Sequence, residues 1–176
     1  MVLLIERIQK NLGGYVKAPS ADSRVAEMGE VRTFIVHGHD HQSALELKDY
    51  LQNTLVLGEP IVLRQTPSAG KTIIEKFEHE AESIELVFVL LTPDDEGASL
   101  ADPNNIKRRV RQNVILELGF FLGTLGRKSG RVLLLYKEGT ELPSDIYGIE
   151  YIGITYGVES AGEKFRRELQ RSGVLK

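Results

Sequence analysis

A doubly wound α/β domain is predicted for this 176-residue chain. Two observations carry the prediction. Short apolar runs alternate with segments of helical periodicity from Val31 onward, the pattern of a parallel sheet with crossover helices. Two of those runs, LVFVLL (86–91) and VLLLY (132–136), contain no polar alternation, as expected of central strands covered on both faces. Five strands are expected in the order 2-1-3-4-5, with helices on both faces.

Thr33–Val36 is the first strand. Ser43–Leu55, with apolar residues at 44, 47, 51 and 55, has helical spacing, and Gly58-Glu59-Pro60 stops it. Ile61–Leu63 is the second strand. A helix is expected from Thr72 to about Ser83, opened by the capping pair Thr72 and Glu75. Ile73, Ile74, Phe77, Ala81 and Ile84 form its buried stripe. Leu86–Leu91 is the third strand, and Pro93–Asn105 reads as a polar loop. A long helix is expected over 106–125, burying Val110, Val114, Leu118, Phe121 and Leu125. Val132–Tyr136 is the fourth strand, Pro143–Tyr147 a short helical turn, Glu150–Ile152 the fifth strand, and Gly162–Gln170 the closing helix. Residues 1–30 read as an arm, a short amphipathic helix over 1–12 broken by Gly13-Gly14 and then a linker. The domain proper is 31–176.

Composition narrows the chemistry. There is no cysteine, so disulfides, thiol nucleophiles and thiolate metal sites are excluded. The net charge of -3 argues against a general nucleic-acid binder. Lys107, Arg108, Arg109 and Arg111 form the one basic run, expected to be a solvated helix face. No signal peptide or membrane-spanning run is read, and a cytoplasmic setting is expected.

In the order 2-1-3-4-5, ligands bind beyond the carboxyl ends of strands 1 and 3, where the winding reverses. Strand 1 ends in His37-Gly38-His39-Asp40 and strand 3 in Thr92-Pro93-Asp94-Asp95. The alternation of His37, His39 and His41 suits a metal pair, but the only other histidine is His79. No metal is therefore expected. Gly38 instead lets the backbone approach a ligand, and Asp40 either caps the following helix or binds a sugar hydroxyl. Pro67–Thr72 ends in GKT like a phosphate loop, yet Gln65 stands where that loop requires glycine. Free N–H groups at a helix start remain available to phosphate there. In RQNVILELGFF (111–121) a lone carboxylate, Glu117, lies among apolar residues, roughly 80° from the centre of the buried stripe at about 100° per residue. Asn113 shares that margin. Such a position suits either a rim residue or a partly desolvated acid with a task.

The ordered series FIVHGHD, LRQTPSAGKTIIEKFE, VFVLLTPDD, RQNVILELGFF and LPSDIYGIEYI resembles the TIR-like nucleotide-binding domain of bacterial predicted nucleotide-binding proteins, among them TIR effectors of STING and cyclic-nucleotide anti-phage systems. The resemblance implies a flavodoxin-like TIR fold and, in active members, an NAD+ glycohydrolase that cleaves the nicotinamide–ribose bond, with ADP-ribose cyclisation in some. It implies Glu117 as the catalytic residue. It assigns dinucleotide contacts to His37, Gly38, His39 and Asp40, and gating of the site and assembly to the loop after strand 2 (64–71), from which Gln65, Thr66, Ser68, Gly70 and Lys71, with Thr72, join the expected binding set. Asp94, Asp95, Arg111 and Asn113 complete the expected binding set. NAD+ is the substrate, with no separate cofactor. Self-association through TIR domains is expected, with a sensor domain or partner protein supplying activation. The competing expectation is a TIR-like module that binds nucleotide or protein without turnover.

Overall fold

The computed structural model describes residues 31–62, 73–146, 149 and 151–175. The expected arm (1–30) and the loop carrying Gln65, Thr66, Ser68, Gly70, Lys71 and Thr72 lie outside them. Five parallel strands form the sheet: β1 (Thr33–Val36), β2 (Ile61–Val62), β3 (Leu86–Leu91), β6 (Val132–Tyr136) and β7 (Tyr151–Gly153), in the spatial order β2-β1-β3-β6-β7. With the intervening hairpin β4 (Asp95–Ser99) and β5 (Asp102–Arg109) set aside, this is the expected 2-1-3-4-5 winding. The helices are α1 (His41–Asp49), continued by a π-helical turn over Tyr50–Thr54, α2 (Ile73–Ala81), α3 (Gln112–Leu125) and α4 (Gly162–Arg171). Among the described residues no helix is long and apolar enough to cross a membrane.

The apolar run of β3 is explained by its two faces. Leu86, Phe88 and Leu90 pack with Leu47, Leu51, Phe165 and Leu169 on the side of α1 and α4. Val87, Val89 and Leu91 pack with Phe77, Val114, Leu118 and Phe121 on the side of α2 and α3. Successive strand residues point to opposite faces, so a strand buried on both sides has no place for polar residues. Of the predicted stripes, Ala44, Leu47, Leu51 and Leu55 of the first helical segment and Phe77, Ala81 and Ile84 of the second are buried, while the side chains of Ile73 and Ile74 lie outside those described.

Two expectations are corrected. The loop over 93–105 and the first turn of the long helix are instead the antiparallel hairpin β4–β5, in register from Asp95 opposite Arg109 to Gly97 opposite Lys107 and shifted between Gly97 and Ser99 before Ser99 pairs with Asp102. The basic run Lys107-Arg108-Arg109 therefore lies on a strand rather than a helix face, and α3 begins only at Gln112. The physical reason is that both hairpin strands are largely solvent-exposed. Their backbone bonds satisfy each other without burying an apolar face, so no alternation marks them.

Val56 has φ 55°, a conformation costly for a β-branched side chain. It is 47% exposed, so little burial is lost on replacement. Val56→Asn is expected to stabilise the fold by about 1 kcal/mol, read as a rise in Tm of about 2–4 °C. No change would mean that the backbone relaxes away from this conformation.

Candidate functional site

Four chain segments converge beyond the carboxyl ends of β1, β3 and β6: His37–Asp40, Thr92–Asp94, Arg111 and Lys137. The convergence follows from the parallel winding, since β1, β3 and β6 are adjacent and end on one edge. Asp94 is the hub. Its Oδ2 accepts from the His39 backbone N–H at 3.1 Å and from the Thr92 hydroxyl at 3.0 Å. Gly38 is buried beneath it, and a Cβ at that position would overlap the Asp94 carboxylate and come within 3.5 Å of the Arg111 Cβ. The glycine is thus required by the close approach of a carboxylate from the neighbouring strand end.

Arg111 closes the other side. Its Nη1 donates to the His39 imidazole through Nε2. This residue is the N-cap of α3, with extended backbone and no side-chain cap bond. One residue therefore joins the start of α3 to the β1 turn. His37 bonds the Gly38 carbonyl through Nδ1 at 3.0 Å, and its ring packs edge-on against His41 with centroids 5.4 Å apart.

Asp40 caps α1. Its Oδ1 accepts from the Ser43 N–H at 3.0 Å, and its Oδ2 accepts from the Ser43 hydroxyl at 2.9 Å. Lys137 Nζ reaches the same Oδ2 at 2.6 Å, with side chains 31% and 19% exposed for Lys137 and Asp40. Of the two roles read for Asp40, the structure shows the cap. Burial pushes the carboxyl pKa up, but the bonds from Lys137 and Ser43 outweigh it and hold the net value below the usual aspartate range. A depressed folded-state pKa stabilises above the ordinary aspartate value of about 3.9, and that contribution disappears as pH falls through the folded value. Lys137→Met is therefore expected to lower stability at pH 7 and to flatten the acid loss of stability below about pH 4. Denaturant midpoints measured from pH 7 to pH 3 would check this, and an unchanged acid limb would show that Ser43 alone holds the carboxylate.

Glu117 is half-buried on α3. Val114, Leu118 and Phe121 bury one face of that helix. Phe120, three residues beyond Glu117 and on the same flank, packs on Phe77 of α2 with centroids 4.9 Å apart. Ile115 lies on the opposite flank and lines a groove with Arg109, Val110, Glu141, Leu142 and Pro143. Glu117 thus occupies the flank facing α2, about 9 Å along the helix axis from Arg111. Asn113, exposed on the first turn, shares this flank at i,i+4 spacing.

The remaining predicted residues separate. Asp94 joins the cluster. Asp95 opens β4 opposite Arg109 and belongs to the hairpin. No group of three or more His, Cys, Asp or Glu side chains is positioned to hold a metal among the described residues. Thr92 was read only as part of the polar end of strand 3, and Lys137 is a member that sequence reasoning missed. Lys137 follows the apolar run 132–136 at a strand's carboxyl end, and that position alone could have flagged it.

Residues 32–156 match the family described as CAP12/Pycsar effector protein, TIR domain. The chain is 43% identical over 120 residues to the uncharacterized protein YuaY of Escherichia coli (strain K12), covering 68% of this chain and 38% of that protein. Protein tirC of Dictyostelium discoideum is 32% identical over 133 residues, covering 71% of this chain and 65% of that protein. The Pycsar effector protein PaPycTIR of Pseudomonas aeruginosa is 37% identical over 87 residues, covering 48% of this chain and 27% of that protein. The chain spans less than two thirds of the length of each of these relatives.

Proposed function

Because the chain belongs to the CAP12/Pycsar effector TIR-domain family, we propose that it cleaves the nicotinamide–ribose bond of NAD+ as the catalytic module of an anti-phage effector activated by assembly. The observation that carries this reading is the half-buried Glu117 on the α2-facing flank of α3, the helix that Arg111 ties to the β1 turn.

In this reading the C1′–N bond breaks heterolytically and its electron pair leaves with nicotinamide. The departing ring becomes neutral, so no general acid is needed. Positive charge collects on the ribose as an oxocarbenium ion, and the Glu117 carboxylate stabilises it and orients the ribose hydroxyls. Water then adds at C1′ and loses a proton, giving ADP-ribose. Addition of the adenine ring instead would give a cyclic product. His39 and the Gly38 backbone line the approach, held by Asp94. Arg111 supplies charge for the pyrophosphate. The residues of 65–72 assigned by the resemblance remain part of the proposed binding set.

The test is incubation of concentrated protein with NAD+, following nicotinamide release and identifying the ribosyl product. Release that rises more than linearly with protein concentration is expected. Saturable NAD+ binding without release at any concentration would favour a non-catalytic binding module.

A further inference from the structure

A second concave surface lies between the hairpin and the edge of the sheet, and the NAD+ reading does not use it. It is a groove of ≈ 890 Å³, within the size range of small-molecule sites. Its floor is aromatic. Tyr136 ends β6 and Tyr151 opens β7 on the α3 side of the sheet, where Leu134 and Tyr151 pack. Their rings stand 6.3 Å apart at 58°. The Tyr151 hydroxyl donates to the Ile146 carbonyl at 3.1 Å, which holds that ring as a fixed wall.

The opposite rim is cationic. Lys107 and Arg108 of β5 line the groove. They are anchored there because the Glu141 N–H donates to the Arg108 carbonyl at 2.7 Å and the Glu141 backbone pairs with that of Arg109 as a parallel β-bridge. Lys107 pairs with Glu141 at 3.0 Å and Arg108 with Glu96 at 3.8 Å, and all four side chains are at least 42% exposed. Exposed pairs of this kind are weak, so a doubly charged oxyanion can displace the carboxylates. Of the charged side chains that line the groove, Lys107 and Arg108 are cationic and Glu141 alone is anionic, a surplus of one positive charge.

We propose that this groove binds a phosphorylated aromatic ligand of the nucleoside-monophosphate class. The ring lies against the face of one tyrosine with the other tilted beside it, an apolar aromatic corner. The phosphate takes charge-assisted hydrogen bonds from Arg108 and Lys107. Ser144 on the groove wall serves the sugar hydroxyls. The groove-lining residues are not among those assigned to NAD+ above, although Tyr136 adjoins Lys137 of the candidate-site cluster.

Calorimetric titration of the full chain with AMP, adenosine and inorganic phosphate tests the proposal. Saturable AMP binding is expected, tighter than adenosine or phosphate alone. Arg108→Glu, on an exposed strand, should weaken it at least about tenfold, the scale of one charge-assisted bond. Tyr136→Leu should weaken it as well. The proposal is overturned if AMP does not saturate, if phosphate alone binds equally well, or if Arg108→Glu and Tyr136→Leu leave AMP binding unchanged. Because the readout is equilibrium binding, these outcomes are independent of whether NAD+ is cleaved.

Discussion

Glu117→Gln is expected to lower kcat for nicotinamide release on the order of 10²–10³-fold, the effect of removing one electrostatic stabiliser of a developing charge, with little change in NAD+ affinity. Glutamine keeps the shape and the hydrogen-bonding reach of the side chain but removes the negative charge. The ground-state ribose is neutral at C1′ relative to the oxocarbenium it becomes. Loss of the carboxylate therefore penalises the transition state far more than the bound substrate. The half-buried position strengthens the effect, since a charge partly removed from water acts over a lower effective dielectric. The apolar packing of α3 is carried by Val114, Leu118 and Phe121 and is kept in the variant. Steady-state kinetics beside a thermal melt separates a loss of chemistry from a loss of stability. A fall in activity that merely follows a fall in Tm would remove Glu117 from the chemistry.

The second large effect is expected at Gly38. Gly38→Ala places a methyl group on the Asp94 carboxylate, and that carboxylate is held by the His39 N–H and the Thr92 hydroxyl. Either the β1 turn or the β3 end must move. Overpacking of this kind costs about 1–3 kcal/mol, and displacement of a site by about 1 Å costs on the order of 10²-fold in rate. Gly119→Ala is the control. An added Cβ there meets nothing within 4 Å, and a helix-interior alanine is favoured over glycine by about 0.8–1 kcal/mol. Gly38→Ala should therefore lower both stability and NAD+ turnover, while Gly119→Ala raises stability. Equal behaviour of the two variants in denaturant melts would contradict the close packing at the β1 turn.

What was legible in the sequence follows from burial. LVFVLL and VLLLY announced themselves because strands covered on both faces are apolar at every position. The helix of Glu117 was legible from Val114, Leu118 and Phe121, but its start was set too early. Val110 is buried in step with that stripe, so the helical pattern runs backward past the true N-cap at Arg111. The hairpin escaped for the opposite reason. DEGAS and DPNNIKRR are exposed along almost their whole length, and their pairing is a backbone interaction that side-chain patterning does not record. In the candidate site, His39 and Asp94 were readable from their places at strand ends, whereas Arg111 was placed inside the helix and named only for the charge it offers a pyrophosphate. The pairing of Lys137 with Asp40 spans 97 positions, and a contact that distant in sequence is visible only once the sheet order is known.

The central claim is that the Glu117 carboxylate faces the ribose whose bond to nicotinamide breaks. It is tested most directly by measuring NAD+ binding and nicotinamide release on the same concentrated samples of wild type and Glu117→Gln. The prediction is that both proteins bind NAD+ with similar affinity and only the wild type releases nicotinamide at an appreciable rate. Equal release by the two proteins, or none by either while both bind, would contradict it.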